Sequence, residues 1–333
     1  MTLAGRINEH VVDSRLLRGN PLNDPHERPL WVYTPPGYAE STQRYPVTFL
    51  LLGFAGKLAA WRNRTPYREP VPEQIDRMFA EGTAPPMIIV FVDAWTTYGG
   101  SQFVDSAGTG RYHSYLCDEL VPWVDEHYRT DPDRRAIAGK SSGGLGAMVT
   151  SMLRPDLFGA FATHSGDSLS EAHYLPDFPR AVRHLRSYDG DIFQWWNDFR
   201  SRVAFTKNED MCLLELLAVS ACFSPDEDGT PVLPFDPVTG ALRPEVWNRW
   251  LRWDPVRMVP EYAEALRTRK AIWIDAGTRD DYFLDLGATA FRQALRDNGV
   301  PDDIVHFELF DGTHFAVEYR MPLSLAWLAE RLS

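Results

Sequence analysis

The stretch RRAIAGKSSGGLGAMVTSM, from Arg134 to Met152, decides the fold because it places two adjacent serines in a glycine-rich turn. An apolar run precedes the turn and a helical pattern follows it, which predicts a strand, a tight turn and a helix. A phosphate-binding loop needs its lysine after the second glycine, and a dinucleotide-binding turn needs G-x-G-x-x-G. Lys140 precedes most of the glycines, so the spacing argues against both kinds of phosphate site.

The turn does match G-x-S-x-G, with Ser141 between Gly139 and Gly143. This motif forms a nucleophile elbow when a strand leads into it and a helix leaves it. The strained turn lifts the central serine above the sheet, and the helix N-terminus favours negative charge developing there. We therefore predict that Ser141 is a nucleophile and that Lys140 points away from the reaction. Ser142 is predicted to contribute its backbone N–H.

A serine nucleophile needs a base, and the base needs an acid that orients it. In a fold with such an elbow the partners follow in the order Ser, acid, His, each after a later strand. The run AIWIDAG is followed by Asp280 and Asp281, and the run IVHFELF by His314. We predict His314 as the base and Asp280, which gives G-x-x-D from Gly277, as the acid. Asp281 stays open as the alternative.

A tetrahedral intermediate also needs hydrogen-bond donors for its oxyanion. One predicted donor is the N–H of Ser142, directly after the nucleophile. The second is expected in the loop GFAG after the run VTFLLLGF, where we prefer the N–H of Phe54, with Gly53 as the next candidate. Further residues near these loops are expected to line the substrate pocket: Trp95, His113 and His164.

Continuous apolar runs alternate with helical patterns along most of the chain, which predicts an α/β fold with a mostly parallel central sheet and helices on both faces. The alternation stops between residues 167 and 269, a helical and aromatic stretch with five of the 11 tryptophans. We interpret residues 1–166 and 270–333 as the core of one α/β-hydrolase domain, and residues 167–269 as a cap or lid inserted into it. The tryptophans either attach this cap to the core or wall an acyl or aromatic pocket.

The composition narrows the classes of partner. A formal net charge of −12 argues against a nucleic-acid partner. No stretch approaches the roughly 20 apolar residues of a membrane span, and the N-terminal residues lack the apolar core of a secretory signal. Three cysteines are an odd number without metal-ligand spacing. We expect a cytoplasmic protein with free thiols and with no metal, organic cofactor or membrane partner, while its oligomeric state stays open.

Several segments together resemble the "Putative esterase" family of α/β-hydrolases, which includes esterase D, enterochelin esterases, feruloyl esterases and mycolyltransferases. The segments include RPLWVYTPPGY, FLLLGFAG, YGGSQFVDS, the elbow itself and FDGTHFAVEY. The resemblance implies that Ser141 is the nucleophile, Asp280 the acid and His314 the base, with Phe54 and Ser142 forming the oxyanion hole. The cap is longer than in compact members of the family, so substrate specificity does not carry over.

These observations predict a serine carboxylesterase that hydrolyses a small-molecule ester through an acyl-enzyme on Ser141. Within enzymes the alternatives are an acyltransferase, in which an alcohol resolves the acyl-enzyme, and a siderophore-type or thioester hydrolase. A glutathione thioester is disfavoured because nothing in the sequence marks a site for that peptide. The alternative from another class is a non-catalytic binding module on a hydrolase scaffold.

Overall fold

The computed structural model describes residues 3–63 and 67–333, and eight strands of it form one central sheet. In chain order they are β1 (Arg6–Asp13), β2 (Glu27–Thr34), β3 (Tyr45–Leu51), β4 (Ile88–Val92), β5 (Thr130–Lys140), β6 (Ala160–His164), β7 (Ala271–Gly277) and β8 (Val305–Phe310). They lie in the order β1-β2-β4-β3-β5-β6-β7-β8. The pairs β1–β2 and β2–β4 are antiparallel and the remaining pairs are parallel, which confirms the predicted, mostly parallel sheet.

Helices surround this sheet. They are α1 (Val71–Ala80), α2 (Tyr112–Ser114), α3 (Val121–His127), α4 (Ser142–Leu153), α5 (Ser170–Tyr174), α6 (Phe178–Leu185), α7 (Ile192–Ser201), α8 (Asp210–Phe223), α9 (Pro244–Leu251), α10 (Pro255–Met258), α11 (Ala263–Arg267), α12 (Leu284–Asp297) and α13 (Arg320–Leu332). A π-helical turn, Tyr115–Leu120, joins α2 to α3.

The sheet separates two apolar cores, because side chains along a strand alternate between its faces. Phe49 of β3 packs into one core, together with Leu145 of α4 and Phe291 of α12. Its neighbour Leu50 packs into the other core, with residues of α1 and α13 such as Ile75. Strands β3, β4 and β6 are buried along their whole length, as expected of central strands covered on both faces.

Helices α5 to α11 lie between β6 and β7 in the chain, within the segment interpreted above as a cap. Trp195 and Trp250 of this segment are fully buried in the same core that α4 and α12 contribute to. Each indole N–H has a partner, since Trp195 donates to Asp210 at 3.0 Å and Trp250 to Ser224 at 2.8 Å. Both hydrogen bonds lie within the segment, and the burial of the two indole rings in the shared core attaches the segment to the body of the protein.

None of the helices in residues 3–63 and 67–333 combines the length and the apolar character needed to cross a bilayer.

Candidate active site

The segment predicted to form a nucleophile elbow lies at the turn between β5 and α4. Ser141 has φ 56° and ψ −127°, a conformation that a residue with a side chain adopts only under strain. A Cβ atom on Gly139 would lie 2.2 Å from the carbonyl oxygen of Gly143, and one on Gly143 would lie 2.4 Å from that of Leu51. The strand, the helix and β3 approach so closely that only glycine fits on either side of the serine.

His314 and Asp280 follow β8 and β7, which are neighbouring parallel strands, so their loops meet at one edge of the sheet. The Nδ1 atom of His314 lies 3.0 Å from Oδ2 of Asp280, and both side chains are buried. Burial acts to raise the pKa of Asp280, but the hydrogen bond and charge of His314 and the N–H of Tyr282 outweigh it and lower this pKa. Asp280 is therefore an ionised acceptor for the imidazole.

Asp281 makes a different contact. Its Oδ2 atom accepts a hydrogen bond from the backbone N–H of His314 at 3.2 Å, and its side chain is exposed. Asp280 thus contacts the ring of His314, whereas Asp281 contacts its main chain.

Ser141 and His314 both line a cavity of about 660 Å³. The hydroxyl of Ser141 donates to Oδ1 of Asp167 at 3.4 Å, and His314 is not among its hydrogen-bond partners in the described part of the chain. A hydrogen bond between a serine and a histidine of an active site is often long before substrate binds, and it tightens when substrate binds.

The loop after β3 passes directly beside Ser141. Gly53 and Phe54 line the cavity, and a Cβ atom on Gly53 would lie 3.2 Å from that of Ser141. Ser142 is the first residue of α4, so its N–H has no partner within the helix. The segment YGG, residues 98–100, packs against this loop, since a Cβ atom on Gly100 would lie 3.0 Å from Cα of Phe54. These three residues support the loop and do not line the cavity.

The cavity wall combines aromatic and charged groups. Its large apolar side chains include Phe54, Trp61, Met211, Tyr282, Phe315 and Tyr319. Its charged groups are Arg68, Glu69, Lys140, Glu215 and Glu318. Met211 and Glu215 belong to α8, so the segment between β6 and β7 contributes to the wall. The tryptophans of that segment are not among the residues that line this cavity.

Three of the residues predicted to line the pocket lie elsewhere: Trp95, His113 and His164. Trp95 follows β4, and its ring lies under the ammonium group of Lys57, 3.9 Å from the ring centre. His113 lies on α2 with Nε2 3.7 Å from Sγ of Cys117, and burial lowers its pKa. Neither side chain reaches the cavity.

His164 belongs to a second arrangement of serine, histidine and aspartate. Its Nδ1 atom lies 2.7 Å from Asp275 and its Nε2 atom 2.9 Å from Oγ of Ser324. Asp275 also accepts hydrogen bonds from Trp273 at 2.8 Å and from Arg320 at 3.0 Å. All three members are fully buried, so this network fastens α13 to the sheet and meets no substrate.

Lys140 also lies differently from the sequence expectation, since its side chain lines the cavity beside Ser141. Its ammonium group lies 3.5 Å from Oε1 of Glu318, four residues after His314. Burial lowers the pKa of Lys140, although Glu318 opposes this effect. Lys140 therefore joins the turn that carries Ser141 to the loop that carries His314.

Two residues around the cavity were missed in the sequence analysis. The Tyr282 ring packs edge-on against the ring of His314, with 4.8 Å between their centres. Asp167 lies next to Ser141, three residues after the end of β6. A polar residue just beyond the carboxyl end of a parallel strand is a recognisable signal, and it would have pointed to Asp167.

No group of three or more His, Cys, Asp or Glu side chains in residues 3–63 and 67–333 is arranged to hold a metal ion.

A family model described as "Putative esterase" matches residues 24–324 of the chain. Among curated proteins, an endo-1,4-beta-xylanase/feruloyl esterase of Xylanibacter ruminicola is 28% identical over 48% of this chain and 22% of its own length. An iron(III) enterobactin esterase of Dickeya dadantii is 27% identical over 42% of this chain and 30% of its own length. The matched segment thus spans less than a third of either relative.

Solved structures resemble the whole chain. A ferulic acid esterase superposes with a TM-score of 0.63 at 22% identity and covers 100% of both chains. An S-formylglutathione hydrolase from Agrobacterium tumefaciens gives a TM-score of 0.61 at 17% identity and covers 100% of this chain and 98% of its own. At these identities the likeness shows a common α/β-hydrolase fold.

Proposed function

The chain belongs to the "Putative esterase" family, and from this premise we propose that it is a serine esterase that hydrolyses carboxylic esters. The observation that carries the proposal is the Asp280–His314 contact of 3.0 Å at the cavity into which the strained Ser141 projects. A buried histidine held by an ionised aspartate beside an elbow serine is the arrangement that activates a hydroxyl.

In the proposed first step, Nε2 of His314 takes the hydroxyl proton of Ser141 as Oγ attacks the ester carbonyl. Asp280, which contacts Nδ1, fixes the orientation of the ring and stabilises the imidazolium that forms. The N–H groups of Phe54 and Ser142 would receive the oxyanion of the tetrahedral intermediate, which is where preorganised donors lower the barrier most.

Collapse of the intermediate breaks the bond to the alcohol oxygen. The imidazolium of His314 returns its proton to the departing alcohol, which leaves an acyl group on Ser141. A water molecule, deprotonated by His314, then attacks this acyl group through a second tetrahedral intermediate. The acid departs and the proton returns to Oγ of Ser141.

The cavity supports a small substrate with an aromatic or bulky apolar part. Its volume of about 660 Å³ falls in the usual range for small-molecule sites. Trp61, Tyr282 and Phe315 give it aromatic walls, and the relative named feruloyl esterase supports an aromatic acyl group. We propose that residues 167–269 act as a cap over this site, since Met211 and Glu215 reach the wall.

The test compares the parent with Ser141→Ala and Ser142→Ala on p-nitrophenyl and methyl esters of benzoic and hydroxycinnamic acids. We expect Ser141→Ala to lose at least about 10³-fold in kcat, because the hydroxyl of its neighbour Ser142 donates to Asp167 and Ser142 does not line the cavity. Ser142→Ala keeps its backbone N–H and retains most of the activity. Hydrolysis at the parental rate by Ser141→Ala would refute the proposal, and ester products formed with added alcohol would redirect it to acyl transfer.

A further inference from the structure

We propose that Asp167, in its ionised form, is a positioning residue for the nucleophile, an inference that rests on the proposed esterase function. Oδ1 of Asp167 accepts a hydrogen bond from Ser141 Oγ at 3.4 Å, and Oδ2 accepts one from Ser142 Oγ at 3.2 Å. The backbone N–H of Asp167 also donates to the carbonyl oxygen of Ser141 at 3.3 Å. One residue therefore contacts both serines of the elbow.

The turn after β6 brings Asp167 to this place. A Cβ atom on Gly144 of α4 would lie 2.6 Å from Cα of Gly166, so the two backbones are in direct contact. Only glycine at both positions lets the turn pack against the first turn of the helix. The position of Asp167 behind the nucleophile is thus built into the backbone of both elements.

Asp167 acts through Ser141 and does not touch the substrate in this arrangement. Its side chain is 2% exposed, and it is not among the residues that line the cavity. A change at Asp167 should therefore alter the reactivity of the hydroxyl more than the affinity for the ester.

Charged and titratable groups from several elements face Asp167. The hydroxyl of Tyr174 lies 3.5 Å from Oδ2. The charges of His173 of α5, Glu215 of α8 and His314 affect the pKa of Asp167. The charge of Asp167 in turn affects the pKa of Tyr282. Burial raises the pKa of Asp167 and Glu215 adds to this, while His173, His314 and the hydroxyl of Ser142 act in the opposite direction. The net direction is upward, so this carboxyl releases its proton at a higher pH than an ordinary aspartate.

The ionised carboxylate serves two stages of the reaction. Before substrate binds, it accepts the hydroxyl of Ser141 and holds Oγ at the cavity wall. When substrate binds, this hydroxyl turns from Asp167 to Nε2 of His314, which takes the proton as Oγ attacks. The charge of Asp167 then adds to that of Asp280 in stabilising the imidazolium. A protonated Asp167 supplies no charge, so the enzyme is more active when Asp167 has lost its proton.

The main test is the pH profile of Asp167→Asn, which keeps the shape of the side chain and removes its charge. We expect kcat to fall about tenfold, because a hydrogen bond to a charged group is lost, with KM within about twofold of the parent. Protonation of Asp167 in the parent should cost about the same tenfold, so log kcat/KM of the parent should contain a step of about one log unit that is absent from this variant, since kcat/KM reports the free enzyme. Asp177→Asn, which removes a cap carboxylate paired with Arg180, is the matched control and should keep the parental step.

Ser142→Ala provides an independent readout if Asp167→Asn fails to fold. This variant keeps the N–H of residue 142 and removes a hydroxyl that favours the ionised form of Asp167. The pKa of Asp167 should rise, so the step in log kcat/KM should move to higher pH and keep its height.

A folded Asp167→Asn variant with parental kcat, with the parental step in its pH profile or with a change in KM alone would overturn the inference, as would an unshifted step in Ser142→Ala. These failures are distinguishable from failure of the proposed function, which would show as an inactive parent or an active Ser141→Ala variant.

Discussion

Asp280 and Asp281 are chemically identical neighbours, but they contact different parts of His314. Asp280 lies 3.0 Å from the ring nitrogen Nδ1, whereas Asp281 accepts the main-chain N–H at 3.2 Å. An amide at position 280 can present its NH2 group to Nδ1 and so favour the wrong tautomer of the imidazole. We expect Asp280→Asn to lose about 10³- to 10⁴-fold in kcat, whereas Asp281→Asn should lose less than about tenfold. Single-turnover acylation of both folded variants measures this, and equal losses would contradict the assignment of Asp280.

At this scale the sequence predicts which residues meet but not where each side chain points. Ser141, Asp280 and His314 could be placed together because each follows a parallel strand, and such strands end at one edge of the sheet. The direction of Lys140 could not be predicted, because it depends on the loop that carries Glu318. His164 was expected near the cavity, but its side chain meets Asp275 and Ser324 inside the protein, a contact that depends on how α13 packs.

At the scale of elements, the pair His173–Glu215 joins α5 to α8 next to the cavity. Nε2 of His173 lies 3.4 Å from Oε1 of Glu215, and both side chains are largely buried. Burial acts to lower the pKa of His173, but its pairing with Glu215 and the charge of Asp167 raise it to about 9. The histidine is therefore protonated at neutral pH, and the contact between the two helices is an ion pair.

This pair predicts a pH dependence of stability. Because the folded-state pKa of His173 is raised, its contribution is fully present below the unfolded value near 6.5 and is lost as pH rises through 9. We expect Glu215→Gln to lower the free energy of unfolding by about 3 kcal/mol at pH 6, and the difference from the parent to shrink above pH 9. Denaturant unfolding across this range measures it. Asp311→Asn, which removes an exposed partner of Arg279, should cost less than about 1 kcal/mol at every pH. A constant difference for Glu215→Gln would contradict the ion pair.

Elements with one strong pattern of apolar residues could be predicted from the sequence, and elements with a mixed pattern of apolar and polar residues could not. Strands β3, β4 and β7 appear in the sequence as continuous apolar runs because both of their faces are buried. The edge strand β1 was not predicted, since most of its side chains are at least partly exposed and only Val12 is buried. The segment after α8 contains two isolated bridges, Pro225 with Pro231 and Phe235 with Leu242. Such short pairings depend on tertiary contacts more than on local sequence.

At the scale of the whole molecule, two arrangements of serine, histidine and aspartate lie in one chain and differ in access. In the arrangement of Ser324, His164 and Asp275, both hydrogen bonds are formed and are 2.9 Å or shorter. Its members are therefore in closer contact than Ser141, His314 and Asp280. Their serine nevertheless lies on a regular helix in the core, where it also donates to the carbonyl oxygen of Met321. The elbow serine has longer contacts, but its hydroxyl lies at a cavity. Reactivity should therefore follow exposure and backbone strain rather than the hydrogen-bonded triad alone.

A fluorophosphonate probe distinguishes the two arrangements. We expect one label per chain in the parent, located at Ser141 by peptide mapping, and no label in Ser141→Ala. Ser324→Ala should be labelled like the parent and keep its ester hydrolysis, because Ser324 never meets the probe. Its free energy of unfolding should be lower than that of the parent by about 1–3 kcal/mol, since His164 is left with an unpaired, buried ring nitrogen. A label on Ser324, or a folded Ser324→Ala variant that no longer reacts, would mean that the buried arrangement takes part in the chemistry.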